Sequence, residues 1–378
     1  MGKGATLAFG GFYLTAPLVL LYLVKIRKGR LPNMGEQHLL TSGPLLDEKG
    51  NLAECGYAFS LVKTYDRKAI KAPKGRIKEW DYYYVGDKER GIALTIDDNG
   101  YMDMCSCTVF DFRVPGYEER SIMHPFSYGK RKLPATSKEG DTVYLDKNVT
   151  MKFTHENGKR HLYMVWPKFG KGGEELRCDV FLEETNPNSM VIATPFKKAA
   201  HFYYNQKINC LRASGYAKLG DDFIDLNKDA YGVLDWGRGV WTYRNAWYWS
   251  SLNAIQDGHV IGWNLGYGFG DTKAASENML FVDRKAYKLN DVAFDIPMDK
   301  RGRDDFLKPW RFRSQTGDID LVFTPRIDRH SLTNALIIES KQHQVYGSFS
   351  GKFLVNDLSE AIEIHDLPGF AEKVSNRW

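Results

Sequence analysis

The stretch DTVYLDKNVTMKFTHENGKRHLYMVW, residues 141–166, decides the class of fold. Runs rich in Tyr, Val, Phe and Met are broken by Asp, Asn and Gly, and the ENG at 156–158 is a hairpin signal between two strand-like runs. The same texture extends outward in both directions. IKEWDYYYVGD (77–87), RGIALTIDDNG (90–100), YMDMCSCTVFDFRV (101–114) and ELRCDVFLEE (175–184) bring the first half to about eight candidate strands. A second set starts near AHFYYNQKINCLRASGYAKLG (200–220) and continues to GKFLVNDLSEAIEIHDL (351–367). Between the sets lies ETNPNSM (184–190), whose turn chemistry makes it the linker. The expected class is all-β: two tandem lipocalin-like antiparallel β-barrels, residues 34–187 and 188–378, with few short helices. The tail LPGFAEKVSNRW (367–378) is expected to supply a turn or two of helix.

A chain of 378 residues, 43% hydrophobic and 13% aromatic, can bury a large core, so disorder is excluded for most of it. The formal charge of +5 sits at the start, where residues 1–33 carry Lys3, Lys25, Arg27, Lys28 and Arg30 and no acid. Without them basic and acidic residues balance, which leaves no electrostatic case for binding nucleic acid. The five cysteines, at 55, 105, 107, 178 and 210, are too few and odd in number for a disulfide framework. Cys105 and Cys107 read as small buried residues, and no metal-ligand pattern accompanies them.

Residues 5–24, ATLAFGGFYLTAPLVLLYLV, run without a charge and end against KIRKGR. The length matches the roughly 20 residues that a membrane-spanning helix needs. The basic residues after it would keep the rest of the chain on the cytoplasmic side of the inner membrane. The other reading is that translation begins at Met34.

Chemistry concentrates in LDWGRGVWTYRNAWYWSS, 234–251. Asp235 and Arg238 sit there among rings. A desolvated carboxylate beside an arginine would have an adjustable proton affinity, as a general acid requires; alternatively the two form a structural ion pair. Side-chain parity along the following strands places Trp247 and Trp249 on one face, and His259 and Trp263 on the face opposite Asn264. Gln342 and Gln344 share a polar and aromatic face that His343 opposes. Together with Trp236, Trp241, Tyr243, Glu277 and Asn278, these are the candidate ligand-binding residues, since rings with a few amides suit a largely apolar pocket. GYGFG at 266–270 is not a dinucleotide fingerprint, GKGG at 170–173 is not a P-loop, and no nucleophile elbow exists, so no cofactor is expected.

These motifs carry a resemblance. GPLLDEKGNL, RIKEWDYYYV, FYYNQKINCLRASG, LDWGRGVW, GYGFGDTKAASENMLF, HQVYGSFSG and GFAEKVSNRW make residues 42–378 resemble a bacterial family known as domain of unknown function 2804. More distantly, YYNQKI followed by YGVLDWG is similar to the hydroxyneurosporene synthase or carotenoid hydratase group, which has two lipocalin-like barrels in tandem. Asp235 and Trp236 match that group's site, while Gly237 and Arg238 replace its next acidic residue. The resemblance implies a hydrophobic ligand, such as an isoprenoid, acyl chain or sterol-like ring system. If the chain is catalytic, it implies cofactor-independent hydration, isomerisation or cyclisation of an alkene in the second barrel. In that expectation Asp235 is the proton donor, Arg238 holds its charge state, and Trp241, Trp247, Trp249 and Trp263 shield a developing cation. The alternatives are a non-catalytic lipid carrier at the envelope and, on the strength of the tryptophans, a carbohydrate-binding protein.

Overall fold

Strands of period two, one face apolar and the other mixed, have to bury both faces when they lie between two layers. This constraint shapes the whole molecule. The structure, a computed structural model, describes residues 36–335, 338–354 and 360–377. The apolar run at 5–24 lies outside them, as do both readings of the first 33 residues. Among the described residues no helix is long and apolar enough to cross a membrane. The helices described are two single turns of 3-10 type, Arg67–Ala69 and Lys74–Arg76. The tail is no helix: Ile362–Arg377 is a strand, because Phe370, Glu372, Val374 and Asn376 are buried at every second position.

Two large, strongly curled antiparallel sheets account for nearly all of the strands. The first runs in the order Gly116–Pro125, Met102–Asp111, Arg90–Asp98, Ile77–Gly86, Tyr231–Val240, Phe202–Leu219, Leu176–Glu184, Lys159–Trp166, Val149–Glu156, Thr142–Asp146. The second places Arg244–Gln256 beside Ile362–Arg377, flanked by His259–Tyr267 on one side and by Ile338–Phe353 and Ile319–Ala335 on the other.

The change of sheet corrects the expected boundary. Met190–Pro195, Phe202–Leu219 and Tyr231–Val240 all pair within the first sheet, and the second begins only at Arg244. ETNPNSM is a turn that sends the chain back into the same sheet. Turn chemistry marks a reversal and says nothing about which sheet receives the next strand. The actual crossing, 241–243, has no polar linker composition because Trp241 is buried.

Parity divides the cores. One face of Ile77–Gly86 sends Tyr83 and Val85 into a core inside the first sheet, shared with Leu234 and Trp236. The curl of the second sheet is filled by Trp263, Trp310, Phe312, Phe323 and Phe349. The outer faces meet along a seam, packed by Tyr84, Phe110, Tyr346 and Phe370 in one cluster and by Tyr203, Trp241, Phe269 and Phe281 in another. The inside of the second curl, where the ligand-binding barrel was expected, is lined by these buried rings.

The seam is stitched where the strand Phe202–Leu219 breaks register. Between Ile208 and Leu211 the pairing with Tyr231–Val240 shifts, and Cys210 takes a left-handed φ of 58°. The bulge aims Asn209 at the other sheet. Its amide nitrogen reaches Ser251 Oγ (3.0 Å), Asn253 Oδ1 (2.9 Å) and the Trp263 carbonyl (2.9 Å), while Cys210 N–H donates to Asn253 Oδ1 at 2.7 Å. All of these groups are buried, so losing the amide removes hydrogen bonds between the sheets at a place shielded from water, even though Cys210 N–H still serves Asn253 Oδ1. Asn209→Ala is expected to destabilise the chain by about 2–4 kcal/mol, measured as a lower urea midpoint at unchanged m-value.

Candidate functional site

Antiparallel pairing lays side chains in rows across a sheet, and two such rows face each other over the seam. In the first sheet Lys207 pairs with Asp235, Asp235 with Tyr82, Tyr82 with Thr95 and Thr95 with Ser106. In the second, Trp249 pairs with Glu372, Glu372 with Gln344 and Gln344 with Arg329. The space between them is a cavity of about 470 Å³. That volume falls within the roughly 300–1,000 Å³ typical of small-molecule sites. Trp80, Tyr203, Trp241, Trp247 and Phe269 wall one end, and Met102, Met104 and Met123 line the other.

The charged end is organised by Lys207. Its ammonium pairs with Asp235 Oδ2 at 2.5 Å and lies 3.8 Å from the centre of the Trp249 ring. Asn205 Nδ2 donates to the other Asp235 oxygen at 2.6 Å. Trp249 is fixed from behind by its Nε1, which donates to Asn264 Oδ1 at 2.6 Å, and Asn264 in turn donates to the Glu277 carbonyl at 2.7 Å. A buried cation over an indole face with a carboxylate beside it is a stable way to hold charge in a dry place.

Two further carboxyls face this cation. Glu372 accepts from Trp247 Nε1 (2.6 Å) and from Gln344 Nε2 (3.0 Å). Burial nevertheless pushes the carboxyl up to about 7; the Trp247 and Gln344 donors and Lys207 oppose the rise, and Asp235 adds to it. Glu277 is raised as well, by burial first, with Lys207 and Asn264 pulling the other way. Near the methionine end burial holds Asp97 well above the usual carboxylate range, although Lys78 opposes it. The cavity thus offers carboxyls whose hold on a proton is strengthened by burial, beside one ammonium.

One glycine makes the wall. Gly237 is paired with Trp80, and a Cβ there would come within 1.9 Å of the Trp80 ring. The missing side chain lets the indole lie across the strand and stack on Tyr203, at 6.0 Å between centroids and 10° between planes. Gly266 does the same for an acid, since its Cβ would sit 2.6 Å from Glu277 Oε1.

Of the residues expected from sequence, Asp235, Trp241, Trp247, Trp249, Glu277, Gln342 and Gln344 line this cavity. Asn264 and Asn278 stand behind it; Asn278 accepts from Gly266 N–H at 2.7 Å and donates to the Asn290 carbonyl at 2.8 Å. Others lie elsewhere. Arg238 is not the partner of Asp235: three positions apart on a strand means opposite faces. It is wholly buried on the inner side of the first sheet, 3.1 Å from Asp81 Oδ1 and stacked over Trp236, with the carbonyls of Trp80, Pro134 and Gly237 as further acceptors. Trp236 packs edge-on against Tyr65 and Tyr204 in the first core. Trp263 fills the second core, its Nε1 donating to Ser250 Oγ. Tyr243 is exposed. His259 is exposed and pairs with Asp283, and His343 pairs with Asp328 while stacking on Phe306. Cys105 and Cys107 are buried free thiols.

Lys207, Glu372, Trp80, Tyr203 and Asp97 also line the cavity and were not singled out by the sequence reading. For Lys207 the signal was present. Tyr203, Asn205 and Lys207 alternate along one face of YYNQK, and that face is buried. Glu372 was hidden by a tail read as helix.

Fold and site together define an all-β protein of two curled sheets with a charged, aromatic-walled cleft between them. The chain belongs to the family described as Domain of unknown function (DUF2804), whose model matches residues 36–378. No curated protein matches the chain in sequence. Among solved structures it is similar to a protein described as AttH from Nitrosomonas europaea, at 12% identity and a TM-score of 0.49, covering 83% of this chain and 97% of that one. Kievitone hydratase from Nectria haematococca is similar at 9% identity and a TM-score of 0.41, over 85% and 97% of the two chains. CghA with Sch210972 is similar at 8% and 0.39, over 89% and 97%. Likenesses this remote leave the chemistry to be argued from this chain's own residues.

Two outcomes follow from the geometry. Gly237→Ala forces the Trp80 indole out of its stack and is expected to cost about 1–3 kcal/mol, seen as a lower melting temperature together with a changed tryptophan emission spectrum. The second concerns pH. With its carboxyl at about 7 against an ordinary 4.5, folded Glu372 keeps a proton that the unfolded chain has already released. Its stabilising contribution is whole below pH 4.5 and is lost as pH rises to about 7, a change of about 3 kcal/mol. Glu372→Gln removes that slope, so its stability relative to the natural chain rises by that amount across the same window, measured by urea unfolding at each pH.

Proposed function

We propose that the cleft binds an apolar or amphipathic small molecule carrying an oxygen, and that Glu372 exchanges a proton with it. One observation carries this reading: a carboxyl titrating near 7 faces a buried ammonium across an aromatic-walled cavity. The rings and methionines supply the apolar contact. Lys207 spends one hydrogen bond on Asp235, and the ammonium has protons left to hold a carbonyl or hydroxyl oxygen of the ligand. A double bond conjugated to that oxygen would then be polarised. Glu372 delivers its proton to one carbon and, as carboxylate, takes a proton from another, so that the double bond moves and the acid is restored. The Trp247 and Gln344 donors stay aimed at the carboxylate formed on the way. The fit of its pKa to neutral pH suits both halves of the exchange. Asp235 holds Lys207 in place and is a positioning residue, in contrast to the proton donor expected from sequence.

The test has two stages. Saturable energy transfer from tryptophan to parinaric acid, a fluorescent polyene fatty acid, is expected in the natural chain. It should be weakened about tenfold or more by Lys207→Met, the effect of roughly one lost charge-assisted hydrogen bond. Native mass spectrometry of freshly purified protein then identifies any retained molecule, which is incubated with the protein in deuterium oxide. Deuterium uptake with the natural chain and none with Glu372→Gln is the expected result. Uptake that persists in Glu372→Gln removes the acid–base assignment, and absence of saturable binding removes the pocket.

A further inference from the structure

At the methionine end of the cleft the surface changes character. The strand Gly116–Pro125 pairs with Met102–Asp111, so that Met102 stands opposite Pro125 and Met104 opposite Met123. From Pro125 the chain turns into PFSYGKRK, 125–132, which folds back over the cavity residues: Phe126 N–H donates to the Tyr101 carbonyl at 2.7 Å and Tyr128 N–H to the Gly100 carbonyl at 2.8 Å. Phe126 and Tyr128 point outward, 61% and 44% exposed, with their rings stacked 6.1 Å apart. Both take a left-handed backbone, φ 61° and 51°, and so does Lys132 at 53°. Three non-glycine residues in that region within one loop are a cost that the surrounding contacts sustain. What the cost achieves is a stacked aromatic pair displayed to solvent beside the open end of an apolar cleft.

Charge gathers at the same place from a distant part of the chain. The segment DRKAIKAPKGR, 66–76, packs here: Gly75 lies against the Tyr128 ring, and Arg67 lies against Gly129. Together the two segments hold eight basic residues and one acid, Asp66, while acidic residues outnumber basic ones in the rest of the described chain. Arg67 and Arg131 are engaged with Glu79 and Asp103. Lys68, Lys74, Lys130 and Lys132 are exposed. Neither segment is a basic stripe by itself, and only the fold joins them.

We propose that this corner docks on an anionic lipid bilayer, with Phe126 and Tyr128 entering the headgroup region and the lysines meeting lipid phosphates. Tyr128, with one apolar and one wet end, suits that depth, Phe126 adds apolar surface to bury there, and clustered lysines suit an anionic surface. The placement of the patch at the cleft mouth favours a bilayer over other polyanions, since an apolar ligand could pass between membrane and pocket without crossing water. That last clause rests on the ligand reading given above; the docking itself does not.

The test uses the full chain with Cys55→Ser, where the four remaining cysteines are buried. An environment-sensitive dye is placed at Phe126→Cys and, as a control, at the exposed Leu307→Cys. Vesicles of phosphatidylcholine with phosphatidylglycerol should shift the emission at 126 to the blue and leave 307 unchanged. Vesicles of phosphatidylcholine alone should do neither, and raised salt should reverse the shift. Lys130→Glu with Lys132→Glu should weaken the apparent affinity about tenfold or more, with an unaltered melting temperature showing that the variant is folded. No shift at 126 in a chain that still binds parinaric acid overturns the docking and spares the pocket. A shift produced by a single-stranded oligonucleotide and not by vesicles overturns it in favour of nucleic acid.

Discussion

Lys207 is the group on which the arrangement of the site depends. A lysine at 3% side-chain exposure is tolerable only where a counter-charge and a polarisable surface replace water. Asp235 directly across the strand supplies the first, and the face of Trp249 from the opposite sheet supplies the second. The two sheets are thereby drawn to one spacing at this point, and the remaining polar residues have to be placed around it. Glu277 and Glu372 sit close enough to feel the ammonium without pairing to it, which leaves burial to govern their protonation.

Packing and hollowness alternate along the seam for a related reason. Where both outer faces are apolar, as with Phe110 against Tyr346 at 4.1 Å between ring centres, the rings pack directly on one another. Where the rows carry Lys207, Asp235, Glu372 and Gln344, close packing would strand charges and amides without partners. The sheets there stand apart, and glycines at 237 and 266 give back room to Trp80 and Glu277. The cavity is the space that remains when polar rows cannot be pressed together.

How much of this was legible in the sequence differs by level. The all-β class and the hairpins were legible, because alternation and ENG-type turns are local. Parity also found the right face for Trp247, Trp249, Gln342 and Gln344, since i, i+2 neighbours keep their side however the sheet is arranged. Parity fails beyond one strand. It gives no means of knowing that the strand holding Asp235 belongs to the first sheet, that its neighbour brings Lys207, or that Glu372 lies beside Trp249. Arg238 shows the limit within a strand: nearness in sequence suggested a partner, and an odd spacing sent it to Asp81 instead. Trp263 illustrates the same limit for a ring, because composition alone does not distinguish a wall from a core.

Among the described residues the chain crosses from one large sheet to the other once, at 241–243, and the cleft takes its walls from both sides of that crossing. Neither part inherits a usable half of the site: one keeps the ammonium and the other keeps the acid that answers it. The site is a property of the joined pair, and its residues have to change in step across a covalent hinge only three residues long.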